Sequence, residues 1–484
     1  MFGKGDADAV FGLLYAQAED DFNRIERNYI NALGRLAEVQ GEQEVWRDLR
    51  MKLYVEPAGL RAQYAAAPAW LQRLMAGFAD GLNFYLYTHP NVRPKLLTHF
   101  EPWMALAFSE GSIGGDIEGI DLAALEAFYV RPAARALPGA DAPAGDAEPR
   151  GSNGVAIAPR LTQAGHALLL INPHTSFYFR PEVHMVSEEG LNAYGAVTWG
   201  QFFVYQGFNE HAGWMHTSGG GDVVDEYLET VVEKNGNYFY RYGGAWRALR
   251  AVPVTVPYKS AAGMAGKVIT AYFSQHGPVV RMANGKWVSV QMMNAPVKAL
   301  MQSWLRTKSS GYAAFREVMD LRTNSSNNTV YADRDGNIAY FHGNFLPKRD
   351  PRFDFTHPVD GADPDTDWHG LHEVKDTITL FNPASGHIAN TSNWPFSGSG
   401  ASSLHVADYP RYMWALPENA RGIHADRILR AKSILAGGES ADPHSPHFDD
   451  QAALYSRGEF KDVLFYREEI EKNLERTYHP GAEK

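Results

Sequence analysis

The chain has 484 residues, 45% hydrophobic and 21% charged, with 56 acidic against 45 basic side chains and a net charge of −11. That composition belongs to a globular protein with room for more than one domain, and the acidic balance argues against binding nucleic-acid backbones or anionic lipid. There is no cysteine, which excludes disulfides, thiolate metal sites and a cysteine nucleophile. No apolar run is long enough for a helix to cross a bilayer.

In chain order, apolar residues recur at helical spacing from residue 6 to about 39, through Phe11, Leu14, Ala18, Phe22, Ile25, Tyr29, Leu33 and Leu36. Asp6 or Asp8 caps the start, and Gly34 and Gly41 mark breaks. Residues 1–8 lack the basic and apolar regions of a signal peptide. A second helical block covers about 67–98, with His89-Pro90 as a stop. A short apolar helix is expected over 102–108, a Gly/acidic loop over 111–119, and a helix over 122–129 capped by Asp121. Residues 1–130 thus read as a mostly helical part.

Residues 131–151 are small, Pro-rich and aperiodic. They read either as a flexible interdomain loop or as a spacer that is cut. From Gly154 the pattern turns to strands, expected over 155–158, 167–171, 182–186, 193–198 and 202–205. Asn235-Gly236, Gly243-Gly244 and Asn284-Gly285 are hairpin signals, and Asp335-Gly336-Asn337 is another. A helix follows over 310–321, then a long Pro/Asp/Gly/Ser-rich loop region over 350–410, then helices over 418–436 and 448–475. There is no internal repeat. Helices, then antiparallel strands, then helices indicate an α+β layered fold rather than a βαβ series.

The chemistry centres on Gly151-Ser152-Asn153-Gly154. A serine hydroxyl needs a base beside it, and a serine at a new chain start carries its own: an α-amine with a pKa of about 7.7–8.0. Gly151 leaves the bond before the serine sterically open. The plain reading of the same residues is a turn. Glycines 219–221 follow Ser218 and let backbone N–H groups approach a ligand, as an oxyanion hole requires. Asp222 and Asp225, with the Val224 carbonyl between them, suit either a hard cation such as Ca²⁺ or a solvated acidic turn. A Ser152–His174–Asp222 or Asp333 triad is an alternative, although no Gly-x-Ser-x-Gly elbow is present. His211 and His216 stand five apart, not at the helical four of a zinc motif. A non-catalytic binding protein, rich in Trp and Tyr, is the remaining alternative.

Several motifs in order carry a resemblance: Ser152-Asn153-Gly154-x-Ala156-x-Ala158-Pro159, Asn172-Pro173-His174, Gly207-Phe208-Asn209 with Trp214-x-x-Thr217-x-Gly219, and Asn328-x-x-Tyr331-Ala332-Asp333-x-x-Gly336-Asn337-Ile338-x-Tyr340. This chain resembles the penicillin acylase family of N-terminal-nucleophile amidases from about Asp6 to Arg430. The resemblance implies a four-layer αββα sandwich of antiparallel sheets, with 1–130 as an α-subunit-like part, 131–151 as a spacer cut before Ser152, and 152–484 as a β-subunit-like part. It implies an α/β heterodimer from one precursor, periplasmic or secreted, hydrolysing a small N-acyl amide. Penicillin- or cephalosporin-type amides and N-acyl-homoserine-lactone or lipopeptide amides are the implied substrates, with no organic cofactor. Ser152 is the implied nucleophile, Ser218 (by its N–H) and Asn328 the oxyanion donors, His174 an orienting residue, and Arg349 an arginine near the amine and Asn328. Met104, Phe108, Thr175 and Gln206 fall at substrate-pocket positions. His174 and Gln206 lean toward the aliphatic-acyl or lactone branch. Asp222, Val224, Asp225 and Glu118 are the implied structural calcium ligands. The family's strand with an Arg-Asp…Gly-Val-Pro-His motif has no counterpart before the first helix, and the chain after Ser152 is shorter than usual. The expectation is an incomplete sheet with an exposed edge. The Asn-x-Ser/Thr sites at Asn324, Asn327 and Asn390 read as an active-site patch rather than as glycosylation sites.

Overall fold

The computed structural model describes residues 1–107, 116–130, 151–175 and 180–438. The expected spacer and the second C-terminal helix, over 448–475, lie outside the described residues. The first part folds as β1 (Phe2–Gly3), α1 (Asp6–Ala32), α2 (Ala37–Gln40), α3 (Val45–Lys52), α4 (Pro57–Ala66), α5 (Ala69–Thr88) and α6 (Leu122–Val130). Helix α1 buries one stripe, Ala9, Val10, Leu13, Leu14, Ala18, Phe22, Ile25 and Tyr29. It stops before Gly34, at φ 63°, so it is shorter than its apolar period. It also kinks at Asp21, where the carboxylate accepts the Arg24 N–H at 3.0 Å and caps a fresh start. Helix α5 ends at Thr88, ten residues before the end its periodicity suggests, because His89-Pro90 cannot continue it. Helices α3 and α4 have no counterpart in the sequence reading. Helix α4 starts on Pro57, with the Glu56 carboxylate accepting from Ala58 N (2.9 Å) and Gly59 N (2.6 Å). The Asp121 cap is present, accepting Ala124 N at 2.7 Å.

The second part gives β2 (Gly151–Ile157), β3 (Leu168–His174), β4 (Glu182–Ser187), β5 (Asn192–Ala196), β6 (Gln206–Asn209), β7 (Ala212–Ser218), β8 (Asp225–Glu229), β9 (Val231–Lys234), β10 (Asn237–Tyr242) and β11 (Ala245–Ala248). Then come β12 (Arg250–Ser260), β13 (Gly263–Ser274), β14 (Gly277–Ala283), β15 (Lys286–Gln291), α7 (Pro296–Thr307), α8 (Tyr312–Met319), β16 (Asn327–Asp333) and β17 (Ile338–Phe341). The described chain closes with β18 (Val359–Asp360), β19 (Thr379–Phe381), β20 (His387–Asn390) and α9 (Ala420–Gly438). The expected strand over 202–205 is irregular backbone, and its strand begins at Gln206 instead. The hairpin turns form where Asn-Gly and Gly-Gly stand: Asn235-Gly236 has φ 53° and 76°, Asn284-Gly285 has 51° and 74°. Positive φ at both positions is the type I′ geometry that matches strand twist.

Two sheets frame Ser152. An eight-stranded sheet runs β1-β4-β5-β6-β7-β16-β17-β19, and a three-stranded sheet runs β20-β2-β3. A six-stranded sheet (β12-β13-β14-β15-β8-β18) and a three-stranded one (β11-β10-β9) stand beside them. The small sheet lies on the large one through Ala156, Met215, Val330, Ile338, Tyr340 and Ile388. Gly154 permits that approach: a Cβ there would stand 3.0 Å from Val330 and 3.1 Å from Met215. The outer face of the small sheet, Val155 and Ile157, is covered by Ala425 and Leu429 of α9. On the far face of the large sheet, Trp214, Tyr331 and Phe341 pack with Phe78, Trp304 and Phe315 from the helices. The described residues thus form a mixed α/β fold of several largely antiparallel sheets packed with helices.

The helical part is built into this frame. Phe2–Gly3 pairs in parallel with β4, giving the large sheet a two-residue edge. Buried Gln17 donates to Gln201 O at 3.0 Å, and the Tyr29 hydroxyl donates to Gly200 O at 2.8 Å.

Candidate active site

Ser152 is the second residue of the central strand of the small sheet, opposite Pro173, and only 6% exposed. Its hydroxyl donates to the carbonyl oxygen of Gly151 at 2.7 Å. Its backbone N–H donates to the Ser392 hydroxyl at 3.0 Å, and the Ser218 N–H donates to the same oxygen at 3.1 Å. Ser392 therefore joins Ser152 to one candidate oxyanion donor. It sits at φ 60°, a conformation that costs a non-glycine residue energy and is held by its own N–H donating to Asn390 Oδ1 at 3.1 Å.

Asn328, on β16 and wholly buried, pairs across from Thr217. Its side-chain amide donates to Thr217 Oγ1 (3.1 Å), Asn390 Oδ1 (3.2 Å) and the Ser218 carbonyl (3.3 Å). Gly219 keeps space over that amide: its φ is 124°, and a Cβ would come within 3.0 Å of Asn328 Nδ2. Ser152, Ser218 and Asn328 are thus brought together, and the connectors are Ser392 and Asn390. The sequence reading met those two only as part of an Asn-x-Ser/Thr triplet. The signal was a polar run directly after a strand, buried here to 1% exposure at Asn390.

His174 is the cross-strand partner of Gly151. Its Nε2 lies 3.1 Å from Asn172 Oδ1, and its Nδ1 lies 3.3 Å from Arg421 Nη1. Burial lowers its pKa, and the Arg421 guanidinium lowers it further. Facing a donor that never gives up its proton, Nδ1 is the acceptor and the ring is neutral. The Ser152 hydroxyl bonds to the Gly151 carbonyl and not to an imidazole, so a Ser–His–Asp triad is not assembled. Arg421 also donates to Asn153 Oδ1 at 2.9 Å. It is a residue the sequence reading missed, because nothing in an amphipathic C-terminal helix marks its second residue as part of a site.

The Nε of Arg349 lies 2.8 Å from Asp225 Oδ2, with both side chains almost fully buried. Its guanidinium also donates to the Asp222 carbonyl and lies over the rings of Phe355 and Tyr412. Burial pushes the Asp225 carboxyl up to about 7 and Asp222 up to about 6, with Arg349 pulling both back down. A cavity of about 280 Å³ opens here, lined by Asp222, Val224, Glu226, Arg281 and Asp116 among others. Of the implied calcium ligands, Asp222 and Asp225 each bury a carboxylate oxygen, Oδ2 and Oδ1, without a hydrogen-bond partner. Glu118 is exposed, and its backbone carbonyl serves Arg50 at 3.3 Å. Glu226 is paired with Arg281. No three carboxylate or imidazole groups converge among the described residues. The positive charge facing Asp225 is a guanidinium.

Three of the expected substrate-pocket residues lie within the described residues. Met104 is packed in the core, its sulfur accepting Glu101 N–H at 3.5 Å. Gln206 is 2% exposed, with neither amide atom bonded. Thr175 is exposed at the end of β3, and Phe108 lies outside the described residues. His216, on β7 behind Asn328, holds Thr329 Oγ1 and the Asn328 carbonyl with Nδ1, at 3.1 and 3.2 Å. Burial drives its pKa well down, so it is neutral.

The Ser152 hydroxyl is thus set against a carbonyl, with the Ser218 N–H and the Asn328 side-chain amide gathered alongside. The sequence profile of the penicillin amidase family matches residues 1–433 and 423–472, and the chain belongs to that family. It is 26% identical to penicillin G acylase of Escherichia coli over 61% of this chain and 34% of that one. It is 25% identical to the acyl-homoserine lactone acylase PvdQ of Pseudomonas putida over 72% of this chain and 49% of the relative. It is 23% identical to the penicillin acylase 2 proenzyme of Pseudomonas sp. strain SE83 over 89% of this chain and 63% of the relative. The matches therefore span between 34% and 63% of the length of these relatives.

Proposed function

We propose that this protein is an N-terminal-nucleophile amidohydrolase of the αββα type that cuts its own chain before Ser152 and then hydrolyses N-acyl amides. The observation that carries the reading is the 2.7 Å hydrogen bond from the Ser152 hydroxyl to the Gly151 carbonyl. In the self-cleavage, Ser152 Oγ forms a bond to the Gly151 carbonyl carbon and the Gly151–Ser152 C–N bond breaks. The hydroxyl proton ends on the nitrogen, which becomes a free amine. Ser392, already accepting the Ser152 N–H, holds that nitrogen in place. Water then hydrolyses the Gly151 ester, leaving a Gly151 carboxylate and restoring the hydroxyl.

Turnover repeats the chemistry on an external amide. The α-amine takes the Ser152 hydroxyl proton and passes it to the leaving amine. The developing oxyanion is met by the Ser218 N–H and the Asn328 amide, each such donor being worth about 2.7–4 kcal/mol. To serve, Asn328 must turn one N–H from Thr217 or Asn390 toward the substrate. The two chains stay together as a heterodimer through the shared core. Penicillin-type and N-acyl-homoserine-lactone-type amides are the substrate classes, from the names of the relatives, and a periplasmic or secreted location goes with them. Among the described residues no helix is long and apolar enough to cross a membrane. Intact mass after expression tests the reading: two chains divided between Gly151 and Ser152 are expected, and amide hydrolysis by a chain that stays whole overturns it.

A further inference from the structure

Arg421 is the second residue of α9, whose start is fixed by Asn419. The Asn419 side chain accepts the Gly422 N–H at 2.8 Å and donates to the Thr391 and Ser392 carbonyls at 3.2 Å each. A cation in the first turn of a helix faces the positive end of the helix dipole, so local helix energetics do not account for an arginine there. Its position does. The guanidinium lies flat against Gly151: a side chain begun there would put Cβ 2.6 Å from Nη2 and 3.2 Å from Cζ and Nη1. Contacts that short force something to move. The guanidinium is held where it is by Asn153 Oδ1 at 2.9 Å and His174 Nδ1 at 3.3 Å.

In the proposed self-cleavage Gly151 is the first acyl group that Ser152 carries, so its α-carbon marks where the α-carbon of any later acyl group sits. We propose that Arg421 sets the acyl-side selectivity of this site: it admits an unbranched α-carbon beside the attacked carbonyl and rejects one bearing an L-configured substituent, in its own Gly151 and in external amides alike. The inference rests on the reading that Ser152 attacks Gly151 and then external amides. It adds a residue from the far end of the described chain and a substrate class: straight-chain acyl amides.

The test is a time course of intact mass for wild type, Gly151→Ala and the double variant Gly151→Ala/Arg421→Ala. Expected are cutting in wild type, cutting slowed about tenfold or more by the added methyl, and restoration in the double variant. Equal rates for wild type and Gly151→Ala overturn the inference and leave the self-cleavage reading standing. A double variant as slow as Gly151→Ala also overturns it. A wild type that never cuts removes the reading, and the inference goes with it. A second measurement uses the wild-type protein alone, so it does not depend on a variant folding. Butanoyl and 2-methylbutanoyl 4-nitroanilides are compared, and kcat/KM is expected to favour the straight chain about tenfold, with the two branched enantiomers unequal. Equal values for all three overturn the inference.

Discussion

Two polar clusters lie near the ends of the sheets, and they are built on different principles. The groups that link Ser152, Ser218 and Asn328 are neutral: the Ser392 hydroxyl, the Asn390 and Asn328 amides, and backbone N–H groups, with the Arg421 guanidinium behind Gly151 bonded to Asn153 and His174 instead. Around Asp225 the contact is ionic, a carboxylate and a guanidinium buried together. A neutral network can exchange one acceptor for another at small cost, which a nucleophile and its oxyanion donors must do in every cycle. A buried ion pair cannot, since losing either partner strands a charge in low dielectric. The first cluster is suited to reaction and the second to holding the β7–β8 connection in place.

That contrast can be broken experimentally, and the largest effect belongs to the neutral cluster. Ser152→Ala removes the hydroxyl and abolishes both chain cutting and amide turnover, read by intact mass and by product release. Asn328→Ala, in protein that has been cut, lowers kcat by about 10²–10³; an unchanged kcat in cut protein removes Asn328 from the oxyanion hole. In the ionic cluster, Arg349→Met leaves Asp225 unpaired and costs about 3–5 kcal/mol in urea unfolding. Adding Asp225→Asn to that variant recovers part of the loss. Chelation with EDTA, read by melting temperature, decides whether a cation joins the Arg349 guanidinium at Asp222 and Asp225: a clear drop places one there. The smallest effect is on His174. Arg421→Ala raises its imidazole pKa, seen by NMR titration, while burial still keeps it below the ordinary value. With a pKa lowered by folding, the stability tied to neutral His174 is present above the unfolded-state value of about 6.5 and is lost as pH falls through the folded one.

Much of this was legible in the residues, for identifiable reasons. Asn-Gly and Gly-Gly turns announce themselves because few other pairs tolerate two positive φ values in succession, and the hairpins fell where those pairs stand. Helix stops at Gly34 and His89-Pro90 were legible as breakers, but the period alone ran past them. Ser152, Ser218 and Asn328 could be picked out by motif and do converge. What the sequence hid is what depends on long-range packing. The pairing of Arg349 with buried Asp225 joins residues far apart in the chain, and no local pattern marks it. Ser392 and Arg421 were missed because their roles come from a loop and a helix start docked by Asn419, which no local pattern encodes.

That docking also sets a clock. Ser152 and the hydroxyl that receives its N–H are 240 residues apart. A ribosome adding about 5–20 residues per second reaches Ser392 roughly 12–48 s after it has made the nucleophile. Until Asn419 follows and pins the loop, Ser152 has neither its nitrogen's acceptor nor Arg421 against the bond before it. In the proposed self-cleavage, cutting would therefore be a late step, one that reports the arrival of the last described helix.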